Sequence, residues 1–89
     1  MADEKLRAVV DEIQAQLARA EGLGEGPRRS LERLVADLEG MLEPSPPAAV
    51  DETTLRPRAA DWVTRLEASH PELSRTLGNL IDTLAFFGL

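Results

Sequence analysis

The chain has no cysteine and no tyrosine, one histidine, one tryptophan and two phenylalanines in 89 residues. Without cysteine there is no disulfide frame, no thiolate nucleophile and no thiolate metal site, which agrees with a reducing compartment. Lysine is almost absent as well: Lys5 is the sole one, and the rest of the ten basic residues are arginines set against sixteen acids, for a net charge of -6. Phosphate backbones reward clustered positive charge through counterion release, so nucleic acid and anionic membrane are poor partners. No run approaches the roughly 18 apolar residues that a membrane span requires. The opening MADEKLRAVVDE is acidic and lacks the apolar stretch of a signal peptide. A cytoplasmic protein is expected.

What is present is a repeated spacing. Leu6, Val10, Ile13, Leu17 and Ala20 alternate steps of four and three, as do Leu31, Val35, Leu38 and Leu42; Leu55, Ala59, Trp62 and Leu66; and Leu73, Leu77, Leu80, Leu84 and Phe87. Such steps place each set on one stripe of a helix, and their mean repeat matches helices packed nearly parallel with knobs in holes. The spacing predicts an all-α four-helix bundle. Helix one is expected over 3–20, ended by Gly22, Gly24 and Gly26, with Leu23 covering the bundle end. Helix two should start at Pro27, whose fixed φ suits a first helical position, and run to about residue 43. Pro44, Pro46 and Pro47 forbid helix and favour an extended connector over 44–52. Helix three should run from Thr53 or Thr54 to about Ala68, with Pro57 in its first turn. Helix four carries the clearest start signal: Ser69 and Glu72 have capping-box spacing. Gly88 and Leu89 are placed to close it. The chain thus reads as one helical domain, 1–89, made of two antiparallel hairpins (about 3–43 and 53–88) joined by a proline-rich linker. Spacing leaves open whether the hairpins pack on each other or on those of a second chain.

Candidate chemistry is sparse. Glu67 and His70 have the Glu-x-x-His spacing of carboxylate-bridged di-metal bundles, but such sites need a second pair and two more inward glutamates. No glutamate lies on any apolar stripe, so no metal and no cofactor are expected. Asp11 with Glu12, Asp51 with Glu52, and Asp61 with Arg65 all fall off the stripes and face water, where nothing shifts a carboxyl toward acid–base work. Ser30, Ser69 and Ser74 have no base beyond His70. No enzyme is expected. Arg28, Arg29 and Arg33 form the nearest approach to a basic patch, read as a solvated helix face.

The apolar residues carry the one partner signal. Val9, Leu34, Met41, Val63 and Ile81 widen the stripes, and Phe86 beside Phe87 falls at the core edge or outside it. A wide apolar face implies a thicker core or a second protein surface. The expected function is a non-enzymatic protein–protein interaction module, a homodimer or the partner of another protein, with Trp62, Val63, Ile81 and Phe86 as contact residues. The alternative is a small-ligand- or metal-binding bundle, which requires a cavity or polar cluster inside.

The segment 66–89, LEASHPELSRTLGNLIDTLAFFGL, resembles the C-terminal signature of a small bacterial family, a domain of unknown function. There a helix ends ahead of Glu-Ala-Ser-His-Pro, and a Leu- and Ile-rich helix follows and closes on glycine and an aliphatic. Glu67, Ala68, Ser69, His70, Pro71, Leu73, Leu77, Leu80, Ile81, Leu84 and Gly88 carry the likeness. The N-terminal hairpin is similar in pattern, whereas the linker is richer in proline. The resemblance implies bacterial origin and a short helical protein, and no activity.

Overall fold

A computed structural model describes residues 2–42 and 52–86. They form four α-helices: α1 (Ala2–Arg19), α2 (Glu25–Met41), α3 (Leu55–Leu66) and α4 (Pro71–Phe86), with a 3-10 turn over Glu52–Thr54 ahead of α3. The proline-rich linker, the Phe87 stripe position and the closing Gly88–Leu89 motif lie outside the described residues.

The stripes became the core. Leu6, Val10, Ile13 and Leu17 of α1, Leu31, Leu34, Val35 and Leu38 of α2, Leu55, Ala59 and Leu66 of α3, and Leu73, Leu77, Leu80 and Leu84 of α4 are all buried in one cluster. Leu23 joins them from the first loop and covers the bundle end. Of the residues that widened the stripes, Leu34 is fully inside; Val9, Met41, Val63 and Ile81 are partly buried against the cluster. Trp62 is also only partly buried.

The helices form a ring of neighbours. Helix α4 packs closely on α3 and on α1; α1 packs on α2; and α2 meets α3 in the slimmest of the four interfaces. Within one chain, therefore, the two hairpins pack on each other. Neighbours run antiparallel. The groove between α1 and α4 joins the end of one to the start of the other, Gln16 and Arg19 facing Pro71 and Glu72. Across α2 and α3, Asp37 late in one helix meets Arg58 early in the other.

Helix boundaries moved for local reasons. Helix α2 opens at Glu25 rather than Pro27, because Gly24 takes a positive φ of 89° and sets the start there. Its first backbone bond runs from Arg28 N–H to Gly24 C=O, so Pro27 still falls in the first turn, where a missing donor costs nothing. Gly22, with φ 72°, supplies the other left-handed residue of this loop. Helix α3 is shorter than the spacing suggests, because a 3-10 turn precedes it and 67–69 form a turn after it.

Helix α4 serves two interfaces, and its small polar residues fit that role. Thr83 is 2% exposed, yet its hydroxyl donates to Asn79 C=O at 2.9 Å. Thr76 donates to Glu72 C=O, and Ser74 crosses to α3 to donate to Val63 C=O at 2.7 Å. Each buried hydroxyl is thus matched, as burial demands. Leu80, fully buried at 0% exposure, lies at the middle of this helix. Leu80→Ala should cost about 2–5 kcal/mol, seen as a melting point lower by at least about 10 °C. A loss below about 1 kcal/mol in urea or thermal melts would mean that Leu80 is not a core residue.

Candidate functional site

Both hairpin loops lie at one end of the bundle, and two side chains tie that end together. Arg28, in the first turn of α2, reaches back over the loop. Its guanidinium donates from Nη1 to Leu17 C=O and from Nη2 to Ala20 C=O, the latter at 2.8 Å. These carbonyls lie at and just past the end of α1, where Leu17 C=O also accepts from Ala20 N–H, and a fixed positive charge suits the negative end of that helix. Arg28 is half-buried. It is therefore not part of a solvated basic face, which corrects the sequence reading for this residue: a hairpin this tight brings the first turn of the second helix beside the last turn of the first.

His70 makes the second tie. Its Nε2 lies 2.8 Å from Glu21 C=O, in the first loop. A carbonyl only accepts, so Nε2 is the donor. Nδ1 lies 3.0 Å from Ser69 Oγ. Helix α4 begins at Pro71, and its first backbone bond runs from Ser74 N–H to His70 C=O. The helix boundary is therefore one residue later than a cap at Ser69 implies, and the Ser69 hydroxyl is turned to the imidazole. Glu72 sits in the first turn of α4, where a carboxylate suits the helix start.

The four residues expected to form an interface do not share one patch. Val63 and Ile81 both lie half-buried toward the seam of α3 and α4. Ile81 there lines a shallow groove with Arg56, Pro57 and Ala60. Trp62 lies on the other flank of α3, beside α2. Phe86 is the one large apolar side chain exposed among the described residues, at 75%. It lies two residues past Leu84, about 200° around the helix from that core position, so it faces away from the bundle.

A cationic groove separates α2 from α3. It is lined by Gly26, Arg29, Ser30, Arg33, Arg58 and Trp62, with a volume of about 440 Å³. Arg58 pairs with Asp37 across the interface at 2.8 Å, and both side chains are partly buried. Arg65 lies over the Trp62 ring at 5.2 Å from its centroid and pairs with Asp61. Arg29 pairs with Glu25 in full solvent. Sequence reading named Arg29, Arg33 and the Asp61–Arg65 pair but not Arg58 or the groove itself, because the groove is assembled from two helices that the linker separates. The available signal was the position of Arg58 and Arg65 on the same side of α3 as Trp62.

A second small groove of about 280 Å³ opens between α1 and α4, lined by Gln16, Arg19, His70 and Glu72 among others. The Gln16 amide donates to Glu12 at 2.9 Å, while its Oε1 is buried with no hydrogen-bond partner. Glu67 and His70 meet no third metal-type ligand: among the described residues, no three His, Asp or Glu side chains converge. No described helix is long and apolar enough to cross a membrane.

The tie through Arg28 can be measured. Arg28→Ala should cost about 1.5–3 kcal/mol, the usual range for hydrogen bonds from a charged donor. Arg29→Ala, one residue on and exposed, should stay within about 0.5 kcal/mol of the parent. Equal effects in urea unfolding would remove Arg28 from the role of a cap.

The model of a family described as a domain of unknown function (DUF4404) matches residues 6–89. No curated protein and no solved structure matches the chain.

Proposed function

Since the chain belongs to the DUF4404 family, a domain of unknown function, its role has to be read from its own surfaces, and we propose that it is a non-enzymatic helical interaction module that self-associates in the cytoplasm. The observation that carries this reading is Phe86. Phe86, at 75% exposure near the end of α4, lies outside the buried core cluster, and an exposed apolar patch favours contact with another protein. The groove at Ile81, Pro57 and Ala60 is a second, separate apolar surface, at the seam of α3 and α4. Helix α4 also carries few charges. From Thr76 to Phe86 its sole charged residue is Asp82. A second copy that lays α4 against this face would bury Phe86, and residue pairs would repeat across a two-fold axis. Contact through apolar helix faces needs no catalytic group.

A second reading, a small-ligand binder, draws on one observation: the buried, unmatched Gln16 Oε1 in the groove beside Arg19 and His70. That groove is at the bundle end, not in its leucine-filled interior, and a ligand there must bring a hydrogen-bond donor. A thermal shift with small amines or amides, abolished by Gln16→Leu, would favour it.

Self-association is tested by light scattering behind a sizing column across a concentration series. The parent should run as a dimer, and Phe86→Asp as a monomer with unchanged far-UV helicity. A parent that stays monomeric at every concentration ends the self-association reading, and loss of helicity in the variant would place Phe86 in the fold instead.

A further inference from the structure

The groove between α2 and α3 is out of character with the rest of the molecule. The chain carries -6 overall, yet three of its nine arginines line this groove, Arg29 and Arg33 from α2 and Arg58 from α3, and a fourth, Arg65, lies over the Trp62 ring beside it. Its floor is Trp62, the one tryptophan in the chain. The groove exists because this interface is the slimmest in the ring: arginine stems and an indole, rather than leucines, stand where the two helices meet.

The geometry points to this groove as the docking site of an acidic protein segment, one that sets aspartate or glutamate side chains beside an apolar residue. Three features choose that occupant. First, the cations are available. Arg33 makes no ion pair or hydrogen bond among the described residues. Arg29 is held by an i,i+4 pair to Glu25 with both side chains at least 80% exposed, and Arg65 by a similar pair to Asp61. Exposed pairs of this kind are weak, so an incoming carboxylate can replace them at little cost. Arg58 is different: its partly buried pair with Asp37 joins α3 to α2 and belongs to the fold. Second, the charges form a line, not a point. Arg58 and Arg65 are separated by about 10 Å along α3, with Arg29 and Arg33 one turn apart on the facing helix. A line of guanidinium groups, each able to grip a carboxylate in bidentate fashion, fits several side chains of a peptide better than one compact phosphate. Third, Trp62 is partly exposed between them. An indole flanked by arginines buries an apolar side chain while the rim stays polar, the usual anatomy of a contact hot spot.

This reading is independent of Phe86, which faces away from the bundle on α4. Trp62 gives it a built-in reporter. The full chain is titrated with a short synthetic peptide of glutamates flanking one leucine, with the same peptide carrying glutamine for glutamate, and with inorganic pyrophosphate. Binding is followed by calorimetry and by Trp62 emission. The acidic peptide should bind with a shift in emission and weaken as salt is raised, whereas the glutamine peptide should not bind. Arg29→Glu/Arg33→Glu should lower affinity by more than about tenfold with helicity and oligomeric mass unchanged. Arg33→Gln, a milder change, should lower it less and in the same direction. The proposal is overturned by the absence of heat with the acidic peptide, by equal binding to the double variant, or by binding that leaves Trp62 emission unmoved. Binding of pyrophosphate without the peptide would make this a small-anion site. A change of mass in the double variant would make a second copy the occupant.

Discussion

Everything in this bundle depends on α4 satisfying two apolar neighbours at once. Leu73, Leu77, Leu80 and Leu84 sit between α1 and α3, so the same leucine row holds the first hairpin to the second. A helix wedged in this way has little room for bulky polar groups on its flanks. Serine and threonine solve the problem, because a short hydroxyl can return its hydrogen bond to a nearby carbonyl, as Ser74, Thr76 and Thr83 do. The price is a helix short of charge, with Ile81 half-buried at the seam with α3 and Phe86 exposed near its end.

The polar ties at the loop end work on a different principle. Apolar burial fixes which faces meet but is indifferent to small slides along the helix axes. Arg28 and His70 are directional: each is anchored in one element and aimed at carbonyls in another, and His70 joins loops 49 positions apart in sequence. The contacts of His70 also account for the residue without recourse to catalysis or metal, since both ring nitrogens are engaged locally.

The periodic part of the architecture was legible in the sequence because a stripe depends on each helix alone. Leu6 through Leu17, Leu31 through Leu38 and Leu73 through Leu84 could be placed inside before any packing was known, and so could Leu23 at the bundle end. Features made by two helices were not legible. Arg28 looks like its neighbour Arg29 in sequence; one caps a helix and the other is in water, and only the turn made by Gly22 and Gly24 separates their fates. Trp62 and Val63 are adjacent in sequence and both apolar, yet Trp62 lines the groove beside α2 while the Val63 carbonyl accepts from Ser74 of α4. The cationic groove was hidden for the same reason: its two halves are contributed by helices on either side of the linker.

The uneven ring has a consequence for how the molecule comes apart. Helix α2 rests mainly on α1 and touches α3 through a thin seam, while α1, α3 and α4 are bound by the two closest interfaces. Opening of the native state should therefore follow an order, with α2 loosening on its hinge near Gly24 before the α1–α4–α3 layer gives way. Its amides would trade deuterium ahead of those of α4. A hierarchy of this kind lets one helix breathe while three keep their shape, so the groove that α2 shares with α3 can widen without the rest of the fold dissolving.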